Sequence, residues 1–191
     1  MRQAVDLKKA YRLLNHGPTV LVSSAHGERR NVMAAAWSMP LDFDPPKITV
    51  VIDKHTLTRE LVDASGEFAL NIPGRGLAAA TVEVGSRSGR DGDKFAQLGL
   101  ATFAAERIAA PLLEGCLAWL ECKVIVEPDN QQRYDLFIAE VVAAWADPLD
   151  FDAGHWQQHP GRERSIHYIA GGAFFETGDA FQVGDEIPAR T

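Results

Sequence analysis

The spacing of apolar residues changes period along this chain, and the changes mark its elements. From Val5 to Leu14 the apolar positions Leu7, Ala10, Tyr11 and Leu14 lie three or four apart, which predicts a helix. Asn15-His16-Gly17-Pro18 supplies the stop, with Gly and Pro just past the end. Thr19 to Ser24 is apolar and β-branched and predicts a strand, Ala25 to Arg30 a turn, and Asn31 to Ser38 a returning hairpin partner. Pro40 and Pro45-Pro46 punctuate the chain before a buried strand at Lys47 to Ile52. Thr56-Leu57-Thr58-Arg59-Glu60 has the hydroxyl-then-acid order of a capping box and opens a short helix through Val62. A strand at Phe68 to Ile72, a helix at Leu77 to Val84 and a polar glycine-rich loop at Gly85 to Asp93 follow. Leu117 to Val126 and Tyr134 to Trp145 are the two longest strand candidates.

Short strands joined by turns, with only short helices between, predict a mainly β chain of α+β type, an antiparallel barrel with peripheral helices. The regular strand–helix alternation of a parallel doubly wound sheet is missing. One domain over residues 1–191 fits this order, with a core at 10–147 and an extension at 148–191 that packs on the barrel or on a second subunit. The two long strands are more apolar than a sheet with one wet face, the run Ala139 to Ala146 being broken only by Glu140. Their outer cover must come from the extension or from another chain, and a symmetric homodimer is the expectation.

Composition narrows the classes. Apolar residues make up 46% and charged residues 24%, which fits a soluble globular chain and excludes disorder. With 19 basic and 26 acidic residues the net charge is −7, which argues against a nucleic-acid backbone as the main partner. A local basic pocket for one phosphate remains compatible with that balance. Two cysteines, Cys116 and Cys122, make neither a disulfide framework nor a zinc set, and both read as buried small hydrophobes. The N-terminus is charged every few residues and lacks an apolar run, so a cytoplasmic protein without a signal peptide is expected. Charge-free stretches such as Asn31 to Leu41 are short of the ~20 residues that cross a bilayer.

Within this acidic chain the stretch Gly85-Ser86-Arg87-Ser88-Gly89-Arg90-Asp91-Gly92-Asp93-Lys94-Phe95 concentrates hydroxyls, cations and glycines. Such a stretch is either a cradle for an oxyanion or a solvated turn. It matches no nucleotide-binding glycine motif. No Gly-x-Ser-x-Gly is present, and Asp147-Pro148-Leu149-Asp150-Phe151-Asp152 with His155 and His159 has no metal-ligand spacing. His167, in an apolar stretch, reads as an interior or interface histidine. Residue by residue, the chain reads as an antiparallel barrel with a candidate phosphate loop.

The order of segments says more. Leu14-Asn15-His16-Gly17-Pro18-Thr19-Val20-Leu21-Val22 leads into Asn31-Val32-Met33-Ala34-Ala35-Ala36-Trp37, and Asp44-Pro45-Pro46 precedes a strand. Gly66-Glu67-Phe68-Ala69-Leu70-Asn71-Ile72-Pro73, then Ser88 to Phe95, then His167-Tyr168-Ile169-Ala170-Gly171-Gly172-Ala173-Phe174 complete the series. Over residues 10–178 this resembles the flavin reductase-like family of FMN-binding split barrels, most closely its flavoredoxin branch.

The resemblance implies a six-stranded Greek-key split barrel and a homodimer with FMN near the subunit interface. It implies NAD(P)H-dependent flavin reduction, hydride passing from nicotinamide to the flavin N5, for free flavin, iron or a partner oxygenase as acceptor. An FMN-bound electron carrier or ferric reductase, and a non-catalytic flavin-binding barrel, are the alternatives. Carried over by position, Asn31, Val32, Met33, Ala34, Ala35 and Ala36 run beside the isoalloxazine edge, with Ala34 and Ala36 standing where this branch often has hydroxyl residues. Asp53, Lys54, His55 and Thr56 meet the ribityl chain and phosphate. Ser86, Arg87, Ser88, Gly89 and Lys94 close on the phosphate. Trp37 fills the barrel or packs on the ring, and His167 lines the substrate side. No residue is expected to act as a catalytic acid, base or nucleophile, because the cofactors carry the chemistry.

Overall fold

The computed structural model describes residues 2–181. The last part of the expected extension, residues 182–191, lies outside the described residues. Eight strands form one antiparallel sheet in the order β3 (Arg29–Ala35), β2 (Val20–His26), β6 (Glu67–Pro73), β9 (Cys116–Ile125), β10 (Leu136–Ala146), β5 (Pro46–Val51) and β4 (Ser38–Phe43), with β1 (Gln3–Ala4) added to β10. Side chains from β2, β3, β5, β6, β9 and β10 converge on one interior cluster that includes Val22, Ile48, Phe68, Leu120 and Phe137. The sheet is therefore curled into a barrel. Its two ends, β3 and β4, are consecutive in the chain and joined only by Ala36 and Trp37, which is where the barrel is split.

β4 and β1 go beyond the expected six strands. The sequence hides β4 because Pro40 reads as a break. On the outermost strand its missing N–H costs no ladder bond, and the register slips there, between Pro40 and Asp42. The expected N-terminal helix is a 3-10 helix, Leu7–Leu13, started by Asp6. Helix α1 (Leu57–Ser65) is capped by the Thr56 hydroxyl, which accepts from the Arg59 N–H, and ends at Gly66 in the left-handed region, φ 72°. The expected capping box is not made: the third helical position is Arg59, and Glu60, one place further on, binds two arginines. Then come α2 (Ala78–Ser86), α3 (Lys94–Gln97) and the short pair β7 (Thr102–Phe103) and β8 (Leu112–Leu113). Helix α4 (Pro128–Tyr134), absent from the apolar pattern because it buries nothing, starts with a proline in its first turn.

A second apolar cluster lies on the other side of the sheet. Leu21, Val32, Trp119 and the partly buried Val142 and Trp145 pack there against Val84, Phe95, Ile108 and Leu112. β9 is thus covered on both faces from Cys116 to Cys122 by this chain's own barrel interior, helices and 104–113 segment. The outer face of β10 is only partly covered: Leu136, Ile138, Val142 and Trp145 are half-buried and Glu140 is exposed, which leaves room there for the further cover that the apolar pattern predicts. Glu121, buried on this outer face, is satisfied by the N–H groups of Glu106 and Arg107 and by the Trp145 indole. The uncovered apolar stripe is elsewhere: Trp37, Met39, Leu41 and Phe43, alternating along β4, face solvent.

The extension carries β11 (Phe151–Asp152), β12 (His155–Trp156), β13 (Ile166–Ala170) and β14 (Ala173–Glu176). It docks on its own barrel through Thr19 N–H to Ile166 C=O at 2.8 Å and a bridge between Gly74 and Ser165. Among the described residues no helix is long and apolar enough to cross a membrane.

Candidate functional site

Strand β3 has a neighbour on one side only, β2. The Lys94 ammonium donates to the Val32 carbonyl at 3.0 Å, so that carbonyl points away from β2. Backbone direction alternates in an antiparallel ladder, so Ala34 turns its N–H and C=O groups to the same free edge. Asn31, Met33 and Ala35 turn theirs to β2, opposite Ser24, Val22 and Val20. Of the six residues expected beside the flavin, Ala34 thus offers both its backbone groups and Val32 its N–H, while Ala36 lies past the end of the strand.

Beyond the start of that edge three elements meet at one polar point. Asn31 is 2% exposed and donates through Nδ2 to the Thr58 hydroxyl of α1 at 2.9 Å, while its Oδ1 has no partner among the described residues. Gly89, from the loop after α2, lies against it so closely that a Cβ there would stand 2.2 Å from Oδ1. Only glycine fits. Thr58 stands in the first turn of α1, where the N–H groups that the Thr56 cap leaves over favour an anion. Outside it, Arg29 and Arg90 both reach Glu60, at 3.0 and 2.7 Å. These bonds, Arg90's first and Arg29's second, hold the Glu60 carboxyl below its usual range. Arg30 grips Asp93 from Nε and Nη2 at 3.1 and 2.8 Å.

The expected site residues divide into groups. Asn31, Thr56, Ser88 and Gly89 border this cradle, with the Ser88 hydroxyl accepting from the Arg90 N–H. Asp53, Lys54 and His55 form the exposed approach to α1: Asp53 accepts from the His55 N–H, and Lys54 stands 3.7 Å from Asp135. Ser86 and Arg87 are turned back on α2, to the Val82 carbonyl and the Glu83 carboxylate. Lys94 is not on the loop surface. It is 3% exposed, with Nζ donating to the Val32 and Val84 carbonyls, and burial lowers its pKa from 10.5 to about 8.

At the other end of β3 the chain leaves the sheet through Ala36 and Trp37. Trp37 is 75% exposed and so does not fill the barrel. His167 is placed near this end: its Nδ1 bonds the Gly17 carbonyl at 2.9 Å, three residues before Val20, the partner of Ala35. His16 stacks edge-on against His167 and bonds the Ser165 hydroxyl at 2.8 Å. Burial, then the neighbouring His167, lowers the His16 pKa from 6.5 to about 4.

Thr58, Arg29 and Glu60 are cradle residues that sequence reasoning passes over. Thr58 looks like a helix residue two places after the cap, and Arg29 and Arg90 are 61 positions apart. No local pattern links them. Among the described residues no three His, Cys, Asp or Glu side chains group as metal ligands.

Comparison with known proteins supplies the context. The model of the family described as "Flavin reductase like domain" matches residues 12–162. An uncharacterized protein of Escherichia coli, YddH, is 43% identical over 183 residues, covering 94% of this chain and 97% of its own length. Among solved structures, an FMN-binding domain of a flavin reductases-like enzyme from Shewanella baltica superposes with a TM-score of 0.93 at 50% identity, covering 96% of this chain and 98% of that one. Flavoredoxin of Desulfovibrio vulgaris gives 0.76 at 25% identity, over 89% and 91% of the two chains.

Proposed function

Since the chain belongs to the flavin reductase-like domain family, we propose that it binds FMN along β3 and acts as an NAD(P)H-dependent flavin oxidoreductase. One observation carries this reading: the free edge of β3, with the Ala34 backbone groups turned outward, starts beside a polar cradle where Asn31, Thr58 and Gly89 meet. The donor set suits FMN part by part. The Val32 N–H and the Ala34 N–H and C=O suit the donors and acceptors of a flavin's pyrimidine edge, and they survive the absence of hydroxyl side chains at Ala34 and Ala36. Asn31, buried under Gly89, holds the Thr58 hydroxyl and so fixes where α1 begins relative to the strand. The start of α1, with Thr56, Ser88 and Gly89 around it and Lys54 and His55 on the approach, takes the phosphate. Lys94, with two of its three donors on carbonyls, keeps one N–H and its charge at the flavin strand instead of the phosphate.

When bound, FMN supplies hydride acceptance from a nicotinamide; the protein's share is to hold, orient and shield. His167 and Gly17 form the wall at the Ala36 end, where a nicotinamide or an acceptor enters. The exposed stripe of Trp37, Met39, Leu41 and Phe43 begins at that end too, and a second copy of the chain covers it in a symmetric dimer. The likeness to flavoredoxin supports a second reading, an electron carrier that is reduced by a protein partner.

The visible spectrum of purified protein, with the flavin identified after heat release, is the first test. The expected result is an oxidised-flavin spectrum from FMN that bleaches anaerobically with NADH or NADPH. Bleaching by dithionite alone would favour the carrier. Colourless protein that takes up no added FMN would overturn both.

A further inference from the structure

Two layers of contact join the same three elements. The inner layer is Asn31 of β3, Thr58 of α1 and Gly89 of the loop. Two residues further out on β3 and α1, and one along the loop, stand Arg29, Glu60 and Arg90. This rim places two guanidiniums on one carboxylate, so the triad has one uncompensated positive charge. Its neighbours are matched one to one, Arg30 by Asp93 and Arg87 by Glu83. With Lys94 buried against carbonyls, the solvent-facing excess on this loop sits at the mouth of the cradle. All three rim side chains are about half exposed, free to turn without opening the core.

We propose that Glu60 is a built-in competitor for the phosphate end of the flavin, and that Arg29 and Arg90 are shared between its carboxylate and that phosphate monoester. The inference rests on the FMN reading and names the residues that set its affinity. A phosphate brings up to two charges and three acceptor oxygens to paired guanidiniums, where a carboxylate brings one charge and two oxygens. The phosphate therefore wins the arginines, but against the repulsion and lost bonds of Glu60. Without flavin, Glu60 keeps the Ser88–Asp93 loop tied to α1 and β3. With flavin, it weakens the hold. Such a device suits a flavin that is exchanged, reduced and released, rather than one kept for the life of the protein.

The test is a fluorescence titration of FMN and riboflavin into flavin-stripped wild type, Glu60→Gln, Arg29→Gln/Arg90→Gln, and the triple variant. Glu60→Gln should tighten FMN about fivefold at low salt, the order expected when one unit charge is removed from the neighbourhood of a dianion in a solvent-exposed site. Riboflavin, which has no phosphate, should move by less than about twofold. The gain should shrink at about 0.5 M salt, where charges beyond ~5 Å are screened. It should vanish when both arginines are gone. Weaker FMN binding by Glu60→Gln, an equal shift for riboflavin, or a gain that persists without the arginines would overturn the proposal while leaving FMN binding intact. Wild type that binds neither flavin would overturn the FMN reading and this inference together.

Discussion

β9–β10 and β4 are comparably apolar in sequence and end in opposite places. The first pair lies mid-sheet: β9 has the barrel interior on one face and the second apolar cluster on the other, and β10 shares both clusters with its outer face half-buried. β4 lies at the sheet's end, with Met39, Leu41 and Phe43 in solvent. The sealed face can afford buried charge only where each polar atom is answered, as Glu121 and Lys94 show. The open edge has no such demand and is left with apolar surface that a partner can use. Apolar content alone does not say which surface is an interface; the position of a strand within the sheet does.

The largest effect should come from breaking the sealed side. Glu121→Ala leaves the N–H groups of Glu106, Arg107 and the Trp145 indole without their acceptor, at a cost of about 3–5 kcal/mol in urea unfolding. A loss under about 1 kcal/mol would mean that water reaches this face, and the contrast with β4 would fail. On the open side, Met39→Lys with Leu41→Lys should change stability by no more than about 1 kcal/mol. Light scattering should instead report the 20.9 kDa single chain where wild type reports twice that mass. Wild type that is already a single chain with flavin bound would remove the dimer.

Titrations give the finer tests. Lys94 has a folded pKa of about 8 against 10.5 unfolded, so between those values the unfolded chain binds more protons. Wild type should therefore gain stability relative to Lys94→Met as pH rises from about 8 to 10.5, and a flat difference would place Lys94 in contact with water. The smallest effect belongs to His16, beneath the extension. Its pKa falls from 6.5 to about 4 on folding, so the neutral ring's contribution is complete above 6.5 and is lost as pH drops toward 4. His16→Gln should flatten that part of the stability profile; an unchanged slope would mean that the ring is solvated.

Much of the barrel was legible because strands such as Thr19 to Ser24 and Phe68 to Ile72 carry their own period and β-branched content. β4 was not, because Pro40 is compatible with a strand only at an edge, and edges are a property of the sheet. Asn31, Ser88 and Gly89 were legible as polar or glycine positions in a recognisable order. That Asn31 meets Gly89 and Thr58, and that Lys94 turns inward to Val32, depends on how α1, α2 and α3 settle on β3.

By itself the sequence determined the strands, the short helices with their Thr56 cap and Gly66 stop, and the family, because these rest on local propensity and on motif order. Tertiary structure alone decided which apolar strands are sealed, which cations stay at the surface and which one is buried, and that Arg29 and Arg90 converge on Glu60. The reason is physical. Burial and charge pairing depend on distances between residues tens of positions apart, and a linear pattern carries no information about those until the sheet has closed around its core.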